Sequence, residues 1–262
     1  MLILTIDVGN THAKFGVYDG PTLRADWRAV TDHNRTPDEW AVLLDRFLAL
    51  RGLQLADLAG CVLASVVPVL TAALREMVVK YLGVEPLVVG PGIDVGIAIE
   101  RVNPQEVGAD RVVNALAARE RYGAPCIVMD FGTATTFDVV SPGGAYIGGV
   151  IAPGLNLSVE ALVQHAARLY KVELAFPPAV IGNSTVTAMQ SGLMWGYVSL
   201  VDGIARRIQA ELGQPAAVVA TGGLAEILAT HSETIQVVDP ELTIHGLYRL
   251  WELNRAEAYG PA

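Results

Sequence analysis

Two short stretches carry most of the chemistry this sequence offers. In Asp7-Val8-Gly9-Asn10-Thr11-His12-Ala13-Lys14 an acid closes an apolar run, a glycine follows two residues on, and small polar residues and a lysine come next. Gly9 permits a sharp turn and lets a ligand approach the backbone. Asn10 and Thr11 add short polar groups, and Lys14 is a point charge suited to phosphate. A carboxylate beside a polyphosphate is repelled unless a cation stands between them, so Asp7 points to Mg2+, held through water. The stretch Asp130-Phe131-Gly132-Thr133-Ala134-Thr135-Thr136 repeats the same order of residue types. Either one alone reads equally well as an ordinary hairpin turn. Together, at equivalent places in the two halves of the chain, they describe two phosphate-gripping turns facing a cleft.

Four further stretches are weaker signals. Glu106-Val107-Gly108-Ala109-Asp110-Arg111 opens a helix expected over Arg111 to Arg119. An acid there complements the helix dipole, yet it also falls between the two halves, where a cleft would lie. Gly148-Gly149-Val150-Ile151-Ala152-Pro153-Gly154 and Asn183-Ser184-Thr185 follow, the latter serving as helix cap or as ligand contact. In Ala220-Thr221-Gly222-Gly223, a strand-to-helix turn, the glycines allow a nucleotide close to the chain or merely satisfy loop geometry. No Gly-x-x-x-x-Gly-Lys-Ser/Thr, Gly-x-Ser-x-Gly or His-Glu-x-x-His occurs, which excludes a P-loop and the common hydrolase signatures. His33, His165, His231 and His245 are scattered, and only His12 falls inside a candidate turn.

The elements that must position these residues follow from periodicity and turn chemistry. Strands are expected over Leu2 to Val8, Ala13 to Tyr18 and Leu23 to Val30, then a helix over Pro37 to Leu50 capped by Thr36. A strand (Cys61 to Val67), a helix (Val69 to Leu82, closed by Gly83) and a short strand (Glu85 to Val89) complete the first half. The second half repeats the plan. Strands are expected over Cys126 to Asp130, Thr136 to Val140 and Gly144 to Ile151, with helix near Asn156 to His165. A long helix, bent or straight, spans Ser184 to Leu212. Strand Ala216 to Ala220, helix Leu224 to Ala229, strand Ile235 to Val238 and helix Leu242 to Ala258 follow. Two repeats are thus expected, at 1–115 and 116–262.

The 262 residues suffice for one large or two small units. A net charge of -9 argues against nucleic acid as a partner. Cys61 and Cys126 lie in apolar runs without metal-ligand spacing and read as buried, reduced thiols. Asp7 interrupts the first apolar run early, and no stretch is long enough for a membrane span, so a cytoplasmic protein with no membrane partner is expected.

The paired Asp-x-Gly turns in duplicated halves resemble those of the actin, Hsp70, acetate kinase and sugar kinase superfamily. The implied fold is α/β: two duplicated ribonuclease H-like domains, the actin-like ATPase fold, with a cleft between them. Five motifs, in order, narrow the resemblance to the type III pantothenate kinases: Asp7 to Thr11, Gly108-Ala109-Asp110-Arg111, Asp130 to Thr136, Gly149 to Gly154, and Ala188-Met189-Gln190-Ser191-Gly192.

That resemblance implies phosphoryl transfer from ATP to the primary hydroxyl of pantothenate, a homodimer, Mg2+, and a monovalent cation, K+ or ammonium. It implies ATP contacts at Asp7, Val8, Gly9, Asn10, Thr11, His12, Ala13, Lys14 and Thr133. Pantothenate contacts are implied at Gly108, Ala109, Asp110, Arg111 and Thr185, with Asp130 on the monovalent cation and Asp110 as catalytic base. One position departs from the family pattern. Arg101, before Val102-Asn103-Pro104, stands where the family often has a substrate-touching Tyr. Other readings on the same scaffold are a kinase for a different alcohol, a non-catalytic accessory protein, and a phosphatase or ATPase.

Overall fold

The computed structural model describes residues 1–100, 103, 107–165 and 172–259. Arg101 and Pro104 lie outside the described residues. The chain forms two compact units. The first takes the described residues of Met1–Ala98, Val102–Ala117 and Glu241–Ala262, and the second those of Ile99–Arg101 and Ala118–Pro240.

The first unit is built on a sheet in the order β3-β2-β1-β4-β5. β1 (Leu2–Val8), β2 (His12–Asp19) and β3 (Thr22–Val30) form an antiparallel meander, and β4 (Leu58–Ser65) and β5 (Leu87–Val88) add in parallel. Alternation sends Leu4, Ile6, Val8, Phe15 and Val17 to one face, where they pack with residues of α1 (Pro37–Ala49) and α2 (Pro68–Leu82). Each large apolar side chain sealed there contributes roughly 1.5–3 kcal/mol. Thr36 caps α1 in a reciprocal box with Glu39, and Gly83 ends α2 in the left-handed region at φ 71°, as the sequence predicts.

The opposite face is covered by α7 (Leu242–Tyr259), against which α3 (Ala109–Tyr122) packs. Ile244 sits over Gly16, Tyr248 stacks on Tyr18 with ring centroids 4.4 Å apart, and Trp251 lies on Gly60. Gly246 abuts Val113 of α3, and further along Leu253 and Leu116 meet over Gly96. The two helices therefore run side by side in one direction.

The second unit repeats the plan. Its sheet runs β8-β7-β6-β9-β10. β6 (Cys126–Phe131), β7 (Ala134–Val140) and β8 (Tyr146–Pro153) make the meander, and β9 (Ala217–Gly222) and β10 (Val237–Val238) add in parallel. Numbered within its own half, each sheet has the order 3-2-1-4-5. That duplication is the architecture expected from the sequence.

Residues of α4 (Leu155–His165), α5 (Thr185–Leu212) and α6 (Ala225–Ala229) pack on one face around Met129, Phe131, Phe137 and Val218. α5 is continuous over 28 residues. Both cysteines are buried and reduced; burial raises both thiols, that of Cys126 to about 12. Among the described residues no helix is long and apolar enough to cross a membrane.

One buried acid, Asp202 of α5, holds the second unit together. It accepts bonds from Ser232 Oγ (2.6 Å), Thr234 Oγ1 (2.7 Å) and the N–H groups of Glu233 (3.0 Å) and Thr234 (3.2 Å). Burial by itself raises its pKa; those bonds outweigh the burial and hold it below the ordinary carboxylate value. Asp202→Ala strands these donors and is expected to cost about 2–4 kcal/mol, a Tm loss of about 5–10 °C by calorimetry. Since the folded pKa is depressed, the gap between wild type and variant is full above the unfolded pKa. It shrinks as pH falls through the folded one.

Candidate active site

Within the first unit, the Gly9–Thr11 turn joins β1 to β2, and its backbone is tied in place. Gly9 N–H donates to His12 O at 3.0 Å, and Thr31 N–H donates to Thr11 O at 3.0 Å. The Thr31 hydroxyl donates to Gly9 O at 2.7 Å. Thr31 is buried beyond the end of β3. Sequence reading missed this clamp, because nothing local marks a threonine 22 residues away as the turn's partner. Asp7 stands opposite Lys14 in the β1–β2 register, both half-buried.

Asp110 sits in the first turn of α3, which begins at Ala109 rather than at Arg111. Gly108 O accepts from Arg111 N–H (3.1 Å) and Val112 N–H (3.3 Å), starting the helix. Arg111 N–H also donates to Asp110 Oδ1 at 2.9 Å. A Cβ on Gly108 would lie 2.6 Å from that same oxygen, so only glycine leaves the carboxylate its place. Burial raises the Asp110 pKa, and the Arg111 N–H and guanidinium partly offset this. α3 and α7 run in parallel, and Ile244 near the start of α7 covers Gly16, two residue rows along the sheet from Asp7 and Lys14. The α3 N-terminus with Asp110 and the Gly9–Thr11 turn therefore lie toward the same end of this unit.

Within the second unit, Gly132–Thr133 joins β6 to β7, with Gly132 N–H donating to Ala134 O at 3.1 Å. Gly154 presses on this turn. Its N–H donates to Thr133 O at 3.1 Å, and an added Cβ would overlap that oxygen and lie 2.7 Å from Gly132 O. Tyr197 of α5 hydrogen-bonds the Thr135 hydroxyl and donates to Pro153 O at 3.1 Å, fixing the flanking strand ends.

Asp130 is in register with Thr221 of β9, and Gly222, at φ 91°, approaches so closely that a Cβ would lie 2.7 Å from Asp130 Oδ1. The Thr221 hydroxyl is fully buried and has no hydrogen-bond partner among the described residues. The register puts this hydroxyl in the same row of the sheet as the Asp130 carboxylate, and both are oxygen donors of the kind that hard cations take. Ser184 is the N-cap of α5, accepting from Thr187 N–H at 3.2 Å. Thr185 lines an open groove of about 520 Å3 with Leu162, Ala188, Met189 and Leu193. Met189, Met194 and Tyr197 of α5 pack in the core of this unit, Met189 at the floor of that groove.

Two copies of a 3-2-1-4-5 sheet, each with a glycine turn after an acid on its first strand, define the actin-like class of phosphoryl-transfer folds. Solved structures agree on the fold. The inorganic polyphosphate/ATP-glucomannokinase of an Arthrobacter species superposes at TM-score 0.51 with 17% identity, over 97% of this chain and 98% of that one. The activator of the 2-hydroxyisocaproyl-CoA dehydratase from Clostridium difficile, with bound ADPNP, superposes at 0.53 with 13% identity, over 98% and 97%.

Sequence comparison narrows the class. The model of the type III pantothenate kinase family matches residues 3–207. Curated type III pantothenate kinases from Anaeromyxobacter sp. (strain K) and Moorella thermoacetica are 52% and 49% identical, each over 97% of this chain and all of the relative. The chain belongs to the type III pantothenate kinase family.

Proposed function

We propose that the chain transfers the γ-phosphoryl group of ATP to the primary hydroxyl of pantothenate, giving 4'-phosphopantothenate, the first step of coenzyme A biosynthesis. The observation that carries this is the half-identity to curated pantothenate kinases over nearly the whole chain. Phosphoryl transfer passes through a loose transition state, so the protein's work is positioning and charge placement. Asp110 orients the attacking hydroxyl and accepts its proton, and its raised pKa suits a base in this role. The Asp7, Val8, Gly9, Asn10, Thr11, His12, Ala13 and Lys14 segment and Thr133 hold the nucleotide. Gly108, Ala109, Arg111 and Thr185 hold pantothenate, with Arg111 suited to its carboxylate.

Asp130, with Thr221 in the same row of the sheet, would hold a monovalent cation, K+ or ammonium, and Asp7 would hold Mg2+, through water; when bound, the cations would supply charge neutralisation on the polyphosphate. The chain works as a cytoplasmic homodimer in this reading. Leu157 and Leu162 on α4, with Val180 and Ile181, expose an apolar surface beside the Thr185 groove that a second copy would cover. In this reading the repeats divide the sequence at 1–115 and 116–262; the compact units have other bounds, the described residues of Glu241–Ala262 belonging to the first.

The test is coupled ADP release with Mg-ATP and pantothenate, in K+ and then in Na+ alone. Pantothenate-dependent turnover that needs K+ is expected. Turnover that favours another alcohol replaces the substrate assignment, and phosphate release without any acceptor replaces the reaction.

A further inference from the structure

Strand pairing gathers positive charge at one end of the first sheet. Across β1, β2 and β3, Asp7, Lys14 and Arg28 stand directly opposite one another, and His12 stands opposite Val30 one step further on. Direct cross-strand partners project from the same face. Lys14 and Arg28 thus face each other as like charges, an arrangement that weakens a strand pair, and His12 lies beside them. The His12 pKa is lowered by burial first, then by Arg28 and by Lys14.

Among the described residues no carboxylate lies within ion-pair distance of Lys14 or Arg28. The remaining acid on this face of β3, Asp26, stands opposite Gly16, the residue Ile244 of α7 covers. Beyond that row Lys14 is half-buried and Arg28 exposed. Two cations with one cross-strand acid, Asp7, beside a glycine turn leave a positive balance in this row that suits an oxyanion.

We propose that Arg28 is a further phosphate-binding residue: its guanidinium joins Lys14 in gripping the polyphosphate of ATP from β3. This rests on the reading of the Asp7 to Lys14 segment as the nucleotide turn. Arg28 offers a planar fork of donors where Lys14 offers a point charge, so the two grip different oxygens of one chain of phosphates.

Equilibrium titrations of ATP, adenosine and pantothenate into wild type, Arg28→Met, Arg28→Lys and Lys14→Met test it. Arg28→Met is expected to weaken ATP roughly tenfold to a hundredfold, with adenosine and pantothenate binding unchanged and Arg28→Lys intermediate. Arg28 is exposed on its strand, and unchanged adenosine binding certifies the fold of each variant. Wild-type ATP affinity in Arg28→Met with weakened ATP in Lys14→Met sinks the proposal and leaves the turn intact. Wild-type ATP affinity in both sinks the turn reading as well. Weakened pantothenate with unchanged ATP assigns Arg28 to the substrate carboxylate and overturns the proposal.

Discussion

Asp110→Asn is expected to lose at least a hundredfold in kcat while melting at a higher temperature than wild type at neutral pH. Both effects come from one geometry. The carboxylate is buried at the start of α3 beside the Arg111 N–H, where its pKa is raised. The asparagine oxygen keeps that hydrogen bond but cannot take a proton from the hydroxyl.

The sign of the stability effect follows from the raised pKa. Below the unfolded pKa the acid is protonated in both states and wild type carries no penalty. As pH rises through the folded pKa, the ionised group is buried at a cost, and stability is lost. The Tm advantage of Asp110→Asn should therefore vanish in acid and appear toward neutrality. In wild type, activity should fall on acidification at a higher pH than an ordinary aspartate base would give. A variant with near-wild-type kcat removes Asp110 from the mechanism; an unchanged Tm difference from acid to neutral pH removes the burial argument.

Gly154→Ala carries the second large effect. The new methyl group would overlap the Thr133 carbonyl oxygen, so the Gly132–Thr133 turn must move. Backbone cannot yield as a flexible side-chain tip does. Overpacking of this kind costs about 1–3 kcal/mol, or about 2–4 °C of Tm per kcal/mol in a chain of this size. Because the strained element is the proposed phosphate turn, KM for ATP should rise on the order of tenfold or more, since a displacement of about 1 Å is enough to cost that much. Steady-state kinetics against ATP at saturating pantothenate reads this out. A variant that loses Tm but keeps its KM for ATP separates the turn from nucleotide binding.

The sequence revealed the parts of the site that lie close together along the chain. Asp7 with Gly9, and Asp130 with Gly132, are each an acid and a glycine two residues apart, and their repetition announced the duplicated sheets. The Thr36 cap and the Gly83 stop were equally local. What remained hidden depends on partners distant in sequence. The Thr31 clamp on Gly9, the Gly154 contact with Thr133 and the four donors on Asp202 each need the fold before the residue acquires a role. The Lys14–Arg28 row needed a strand register, which hairpin signals suggest but do not number. β5 and β10 shrank to two residues each, because a strand lasts only as far as its neighbour pairs with it. The Met and Tyr positions of α5 went to the core because the helix lies over its own sheet.

The placement of α7 has a consequence for how the protein is made. Ile244, Tyr248 and Trp251 close a face of the first sheet over Gly16, Tyr18 and Gly60. During synthesis β1 to β4 leave the ribosome roughly 180 residues before that cover does, at about 5–20 residues per second. For those seconds the first unit waits with part of one face bare, while residues 118–240 emerge with every strand of the second sheet. The later-made unit is thus free to finish folding before the earlier one, an inversion of the usual order along a nascent chain.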